Sequence, residues 1–167
     1  MNQGRRRSFF AIGVIAAYLF SVIAIQIAAS GEAIHPEEFP EMCPEKSLNC
    51  SMIGPNSYRS GGLTELRFNS SLETVMAETR DWIDSQPRTE IIGEWPDQTH
   101  SVFTTLLFRF RDDFVVNGFC DGEDAVIHVY SKSRLGISDI GVNKDRVGSF
   151  ASHMSNVEMA TSECVTD

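Results

Sequence analysis

Val102-Phe103-Thr104-Thr105-Leu106-Leu107-Phe108-Arg109-Phe110 decides the fold, together with Asp113-Phe114-Val115-Val116 and Ala125-Val126-Ile127-His128-Val129-Tyr130 downstream. In the first run Val102, Thr104, Leu106, Phe108 and Phe110 alternate with Phe103, Thr105, Leu107 and Arg109. That two-residue period predicts a strand well buried on one face. Asp113 to Val116 reads as a short strand, and Ala125 to Tyr130 as another with Ala125, Ile127 and Val129 on one side. The links Asn117-Gly118 and Pro96-Asp97-Gln98 are short and rich in turn formers, so neighbouring strands are expected to pair antiparallel.

Working outward, Thr89 to Glu94 and Leu63 to Phe68 are two further strand candidates. Between them Leu72, Val75, Met76, Trp82 and Ile83 recur at helical spacing, and Pro87 stops the helix. Ser70 with Glu73 three residues on reads as its capping box. Val147, Phe150, Ala151 and Met154 make a second helical stripe, after which the polar residues 157–167 are expected to fray. The order β-α-β-β-β-β-α predicts an α+β fold over residues 63–156, a mostly antiparallel sheet of about five strands with two helices on one face. Residues 31–62 read as an irregular linker or arm, broken by Pro36, Pro40, Pro44 and Pro55 and closed by Gly61-Gly62.

Residues 1–30 form a leader. Arg5-Arg6-Arg7 precedes Phe9 to Ala29, a stretch whose strongly polar members are Ser21 and Gln26. About 20 apolar residues cross a bilayer as a helix, which favours a membrane anchor over a signal peptide, although Ala28-Ala29-Ser30 before Gly31 would suit cleavage. Arg6-Arg7-Ser8-Phe9-Phe10 also resembles a twin-arginine export signal, but the match is short and an ordinary positive leader is the preferred reading. Arginines before the span predict a cytoplasmic N-terminus and an exported body, with residues 9–29 as the membrane contact.

Charge and cysteines narrow the partners. Removing the leader's three arginines from the net charge of −9 leaves −12 on the body, which excludes a role in binding nucleic acid. A protein partner at a membrane surface stays open. Four cysteines in an exported body suit disulfides. Cys43 and Cys50 flank a small loop that a bridge would close, leaving Cys120 and Cys164 for each other, though three pairings and the unbonded state are all compatible with the sequence. His35, His100, His128 and His153 are scattered and no C-x-x-C spacing is present, so neither zinc nor another cofactor is expected.

Polar residues concentrate in Ser133-Arg134-Leu135-Gly136-Ile137-Ser138-Asp139-Ile140-Gly141-Val142-Asn143-Lys144-Asp145-Arg146-Val147. Gly136 and Gly141 permit sharp turns, Asn143 is placed to cap the last helix, and Arg134 and Arg146 are matched to Asp139, Asp112 and Asp113. The first reading is a self-contained polar lock. The second is an anion site built from Ser133, Arg134, Ser138, Asp139, Asn143 and Arg146, using the helix N-terminus. Asp112, Asp113 and Asp139 are the candidate ligands of a divalent metal. Adjacent carboxylates on a strand point to opposite faces, however, and Asp112-Asp113 reads first as a turn.

The pattern S-R-x-G-x-S-D-x-G-x-N-x-x-R-V, preceded by Asp112-Asp113, resembles the family catalogued as domain of unknown function fourteen ninety-nine. Cys43-Pro44 through Asn49-Cys50-Ser51 is similar to that family's Cys-Pro … Asn-Cys-Val-Ser-Ser stretch, and the likeness runs from Cys43 to Met154. The resemblance implies an exported or lumenal protein behind a signal or membrane segment, and it implies no known activity. The chain departs from the family pattern at Tyr130-Ser131, where an arginine-serine pair is usual, and at Lys132 and Met52. Three functions follow as expectations. The first is a membrane-tethered binding or assembly module. The second is a metal-assisted hydrolase using Asp112, Asp113 and Asp139. The third is a carrier holding lipid between the sheet and the Leu72/Val75/Met76 helix.

Overall fold

The computed structural model describes residues 3–31, 33–34, 38–136 and 138–165. His35, Pro36 and Ile137, and the side chains of Arg5 and Arg6, lie outside the described residues. Among the described residues three helices, α1 (Gln3–Ala28), α2 (Leu72–Ser85) and α3 (Val142–Asn156), accompany six strands: β1 (Cys50–Ile53), β2 (Leu66–Phe68), β3 (Thr89–Glu94), β4 (Gln98–Thr104), β5 (Arg111–Asp121) and β6 (Asp124–Ser133). The strands form one antiparallel sheet in the order β1-β6-β5-β4-β3, and β2 pairs with β6 beside β1. The α+β fold and both covering helices are as the periodicity predicts.

One strand more than expected is present. β1 lies inside the segment read as a linker, and its four residues are all buried. It pairs with Val129–Lys132, while β2 pairs with Ala125–Ile127, so the two share one edge of β6. Two strands differ in extent. The run from Val102 leaves the sheet after Thr104, and Leu106, Leu107 and Phe108 stand exposed in a loop. Conversely, β5 continues through Asn117-Gly118, and the hairpin turns at Gly122-Glu123 instead. Gly118 is a packing position: a Cβ there would lie 2.6 Å from Leu72 Cδ1 and 3.1 Å from Met76 Sδ of α2.

Each sheet face has its own core, because successive residues on a strand alternate faces. On one face Phe114 and Val116 of β5 and Ala125, Ile127 and Val129 of β6 pack against Val75, Met76, Trp82 and Ile83 of α2 and Val147, Phe150 and Met154 of α3. Trp82, Phe114 and Phe150 meet at centroid distances of 5.0–5.6 Å, the separations at which aromatic pairs attract. On the other face Val115, Tyr130 and Met52 are covered by the arm, through Ile34, Phe39, Tyr58 and the Cys43–Cys50 disulfide. The arm is therefore a layer of the domain.

The C-terminal segment is also pinned. Cys164 is bonded to Cys120, and the Ser70 hydroxyl donates to the Ala160 carbonyl at 2.8 Å. With Ser70 used there, Ser71 caps α2 instead, accepting from the Thr74 N–H at 3.2 Å.

Candidate functional site: a polar lock on both faces of the sheet

The helix-side face of β6 reads Ala125, Ile127, Val129 and then Ser131, Ser133, turning from apolar to polar beside the start of α3. Asp112 stands on the same face of β5, opposite Ser133. Into this polar corner α3 lowers Asn143 and Arg146, which three residues of spacing place on one side of a helix.

Asn143 is fully buried. Its amide nitrogen donates to the Asn49 carbonyl and to Ser133 Oγ, both at 3.0 Å. Its oxygen accepts from Ser131 Oγ at 2.6 Å and from the Arg146 guanidinium at 2.5 Å. Arg146 also donates to Ser131 Oγ at 3.0 Å and to Asp112 Oδ2 at 2.9 Å, and lies 4.3 Å over the Phe103 ring. With side-chain exposures of 9% and 3%, Arg146 and Asp112 form a buried ion pair.

Asn143 is thus not the helix cap that its position suggests. α3 begins at Val142 behind Gly141, which sits in the left-handed region at φ 93° and offers no side chain, so Asp139 takes the free N–H groups instead. Asp139 accepts from the Gly141 N–H at 2.9 Å and the Asn143 N–H at 2.6 Å. Burial alone would raise its carboxyl, but those two N–H groups and the Arg59 charge, 3.8 Å away, hold it below the usual carboxylate value. An internal carboxylate occupies the place at the helix N-terminus where an external anion would bind.

Asp113 and Arg134 are on the opposite face. Arg134 forks onto both Asp113 oxygens at 2.7–3.0 Å and donates a further bond to the Ala29 carbonyl at 3.0 Å. His100 Nε2 meets Asp113 Oδ1 at 2.7 Å, while its Nδ1 accepts from the Ile34 N–H at 2.7 Å. Because Nδ1 accepts, the ring proton sits on Nε2 and donates to Asp113. Gln98 completes the clamp by donating to the Ile34 carbonyl at 2.9 Å. Burial would raise the Asp113 carboxyl, but the His100 and Arg134 hydrogen bonds outweigh it and hold it below its usual value. Nearby Tyr130 is pushed up to about 12, by burial first and then by the Asp113 charge.

The six residues read as an anion site therefore fall in three places. Ser133, Asn143 and Arg146 meet on the helix face, Arg134 lies on the arm face, and Ser138 and Asp139 are in the loop between, where Ser138 Oγ accepts from the Ile140 N–H at 3.3 Å. Asp112 and Asp139 border one cleft, but Asp113 lies on the opposite face, and each of the three is engaged by its own donors. Among the described residues no three His, Cys, Asp or Glu side chains are grouped to hold a metal. Sequence reasoning missed Asn49, Ser131, His100 and Arg59. Asn49 donates to the Gly136 carbonyl at 2.7 Å, and Arg59 donates to the Leu48 and Cys50 carbonyls, so both staple the disulfide loop to the motif. Beside the lock, a mostly apolar cleft of about 220 Å³ lies between the 105–110 and 135–142 loops, lined by Thr105, Phe110, Asp112, Leu135, Asp139 and Ile140.

The family described as Protein of unknown function (DUF1499) matches residues 36–154. The chain belongs to this family. No curated protein and no solved structure matches it. The DUF1499 match begins within the arm and ends in α3, so it takes in both layers that the lock joins to the sheet.

Proposed function

We propose that this DUF1499 protein is an exported binding or assembly module that works at a membrane surface, tethered by an uncleaved α1. The observation that carries the reading is that the motif's own arginine reaches the tether. Arg134, forked onto Asp113, also holds the Ala29 carbonyl immediately after α1, and His100 and Gln98 hold Ile34. Cleavage of a signal before Gly31 would take the Ala29 carbonyl away from Arg134, whereas the Ile34 contacts hold the arm in either case. α1 contains a 22-residue apolar span, Arg7–Ala28, of bilayer length. Two disulfides fit an oxidising compartment, and the arginines ahead of the span fit an exported body.

On this reading the Ser133–Val147 motif serves as a lock that fixes the body to its tether. The anion reading is weaker, because the arginines and helix N–H groups it needs already have partners within the chain. Hydrolysis through Asp112, Asp113 and Asp139 would require carboxylates that face one another. A small apolar ligand would find room in the cleft beside the lock, whereas Val75 and Met76 of α2 are packed into the core.

Intact-mass and native mass spectrometry of the full chain extracted from membranes tests the proposal. Residues before Gly31 should be retained, with a partner or ligand carried along. A mature start at Gly31 would contradict the tether, and a chain that always emerges alone would contradict the binding role.

A further inference from the structure

The loop that follows β4 carries three large apolar side chains in a row, Leu106, Leu107 and Phe108, exposed by 68%, 66% and 46%. A soluble body gains nothing by presenting them to water. The loop does not hang free of α1. Tyr18 Oη donates to the Leu107 carbonyl at 2.8 Å, and Gln26 Nε2 donates to the Arg109 carbonyl at 2.5 Å. Ser21, the remaining polar side chain on that stretch of α1, bonds within its own helix. The apolar helix thus spends Tyr18 and Gln26 on the backbone of this one loop.

We infer that Leu106, Leu107 and Phe108 insert into the outer leaflet beside α1, giving the domain a second contact with the bilayer; the inference rests on the tether reading. Depth supports it: Tyr18, which holds the loop tip, lies about two helical turns further into the span than Gln26. Part of the loop's backbone is paired within the protein, which lowers the cost of carrying a non-helical turn into the bilayer. Here the Leu107 and Arg109 carbonyls are taken by α1. The Thr105 N–H donates to the Phe110 carbonyl and the Phe110 N–H to Thr105 Oγ1, both at 2.9 Å. Charge completes the match. Arg88 and Arg109 are exposed and Arg111 half-exposed around the base of the tip, a basic girdle on an otherwise strongly acidic body. Long cationic side chains in that position reach lipid phosphates while the tip sits in the acyl region.

The test uses the full chain reconstituted into vesicles of phosphatidylcholine and phosphatidylglycerol. Among the described residues the native cysteines are all in disulfides, so Leu107→Cys, Phe20→Cys and Glu123→Cys each accept one polarity-sensitive fluorophore. Phe20 reports on the span. Glu123, in the turn about 30 Å along β5 from Asp112, reports on the distal end of the body. Quenching by nitroxide-labelled lipid should be comparable at positions 107 and 20, and several-fold weaker at position 123. Quenching at position 20 with position 107 matching position 123 would overturn the inference and leave the tether standing. Quenching at neither would overturn both.

Discussion

Asn143→Ala measures what the buried amide contributes. The substitution removes four hydrogen bonds, but their loss is unequal. The Asn49 carbonyl keeps the Ser133 N–H at 3.0 Å, and the Arg146 guanidinium keeps Ser131 Oγ and Asp112. Left without partners are the Ser131 hydroxyl proton and the Ser133 Oγ acceptor, both at buried positions. Stranding a buried polar group costs about 1–3 kcal/mol, so the two together predict a loss of about 2–6 kcal/mol. Asn143→Ser separates this account from simple capping, because serine caps a helix as well as asparagine does but is too short to span Ser131, Ser133 and Asn49. Urea denaturation of the full chain in a non-ionic detergent, disulfides intact and followed by tryptophan fluorescence, should show both variants destabilised with an unchanged m-value. A change of less than about 0.5 kcal/mol for Asn143→Ser, the scatter of ordinary surface substitutions, would refute the reasoning.

Other expectations concern charge, cross-links and strain. Asp113 and Asp139 both titrate below the usual carboxylate value, so they contribute stability above the unfolded value of about 3.9 and lose it as pH falls through their folded values. Denaturation midpoints should hold steady from neutrality to near pH 4 and fall below it, and the Asp113→Asn/Asp139→Asn variant should flatten that fall. Removing the Cys120–Cys164 bridge, which closes 44 residues, should cost about 4 kcal/mol, against about 2 kcal/mol for the 7-residue Cys43–Cys50 loop, both read from denaturation of the serine variants. Ile140 is 97% exposed yet held at φ 56°, so Ile140→Asn should raise stability by about 1 kcal/mol in the same assay.

What the sequence conveys divides along physical lines. The stripes of α2 and α3 are legible because each buries one face, and β3, β4 and β6 begin where the pattern places them, within a residue or a few. Asn117-Gly118 misleads because its glycine serves packing: a Cβ would strike Leu72, so the dipeptide that signals a hairpin elsewhere is mid-strand here. Leu106-Leu107-Phe108 misleads in the other direction, extending an apolar alternation into a loop that faces outward. β1 is hidden because four residues among prolines carry too little period to read. In the lock, the residue types are legible but not the partners. Asp112-Asp113, read first as a turn, lies inside β5 instead, where alternation puts the two on opposite faces, yet nothing local says that Arg146 takes the first and Arg134 the second. His100, Asn49 and Ser131 join through distant pairing, which no spacing announces.

The ion pair between Arg146 and Asp112 tests most directly whether the motif is a lock or a site kept for a ligand. Denaturation of Arg146→Met, Asp112→Leu and the double variant gives both the single costs and the coupling between them. The lock predicts that each single change loses about 3–5 kcal/mol, because it leaves an unpaired buried charge, and that the double variant recovers most of that loss. A single Arg146→Met change that is neutral or stabilising would contradict the account, since an arginine held ready for a ligand is strained until that ligand arrives.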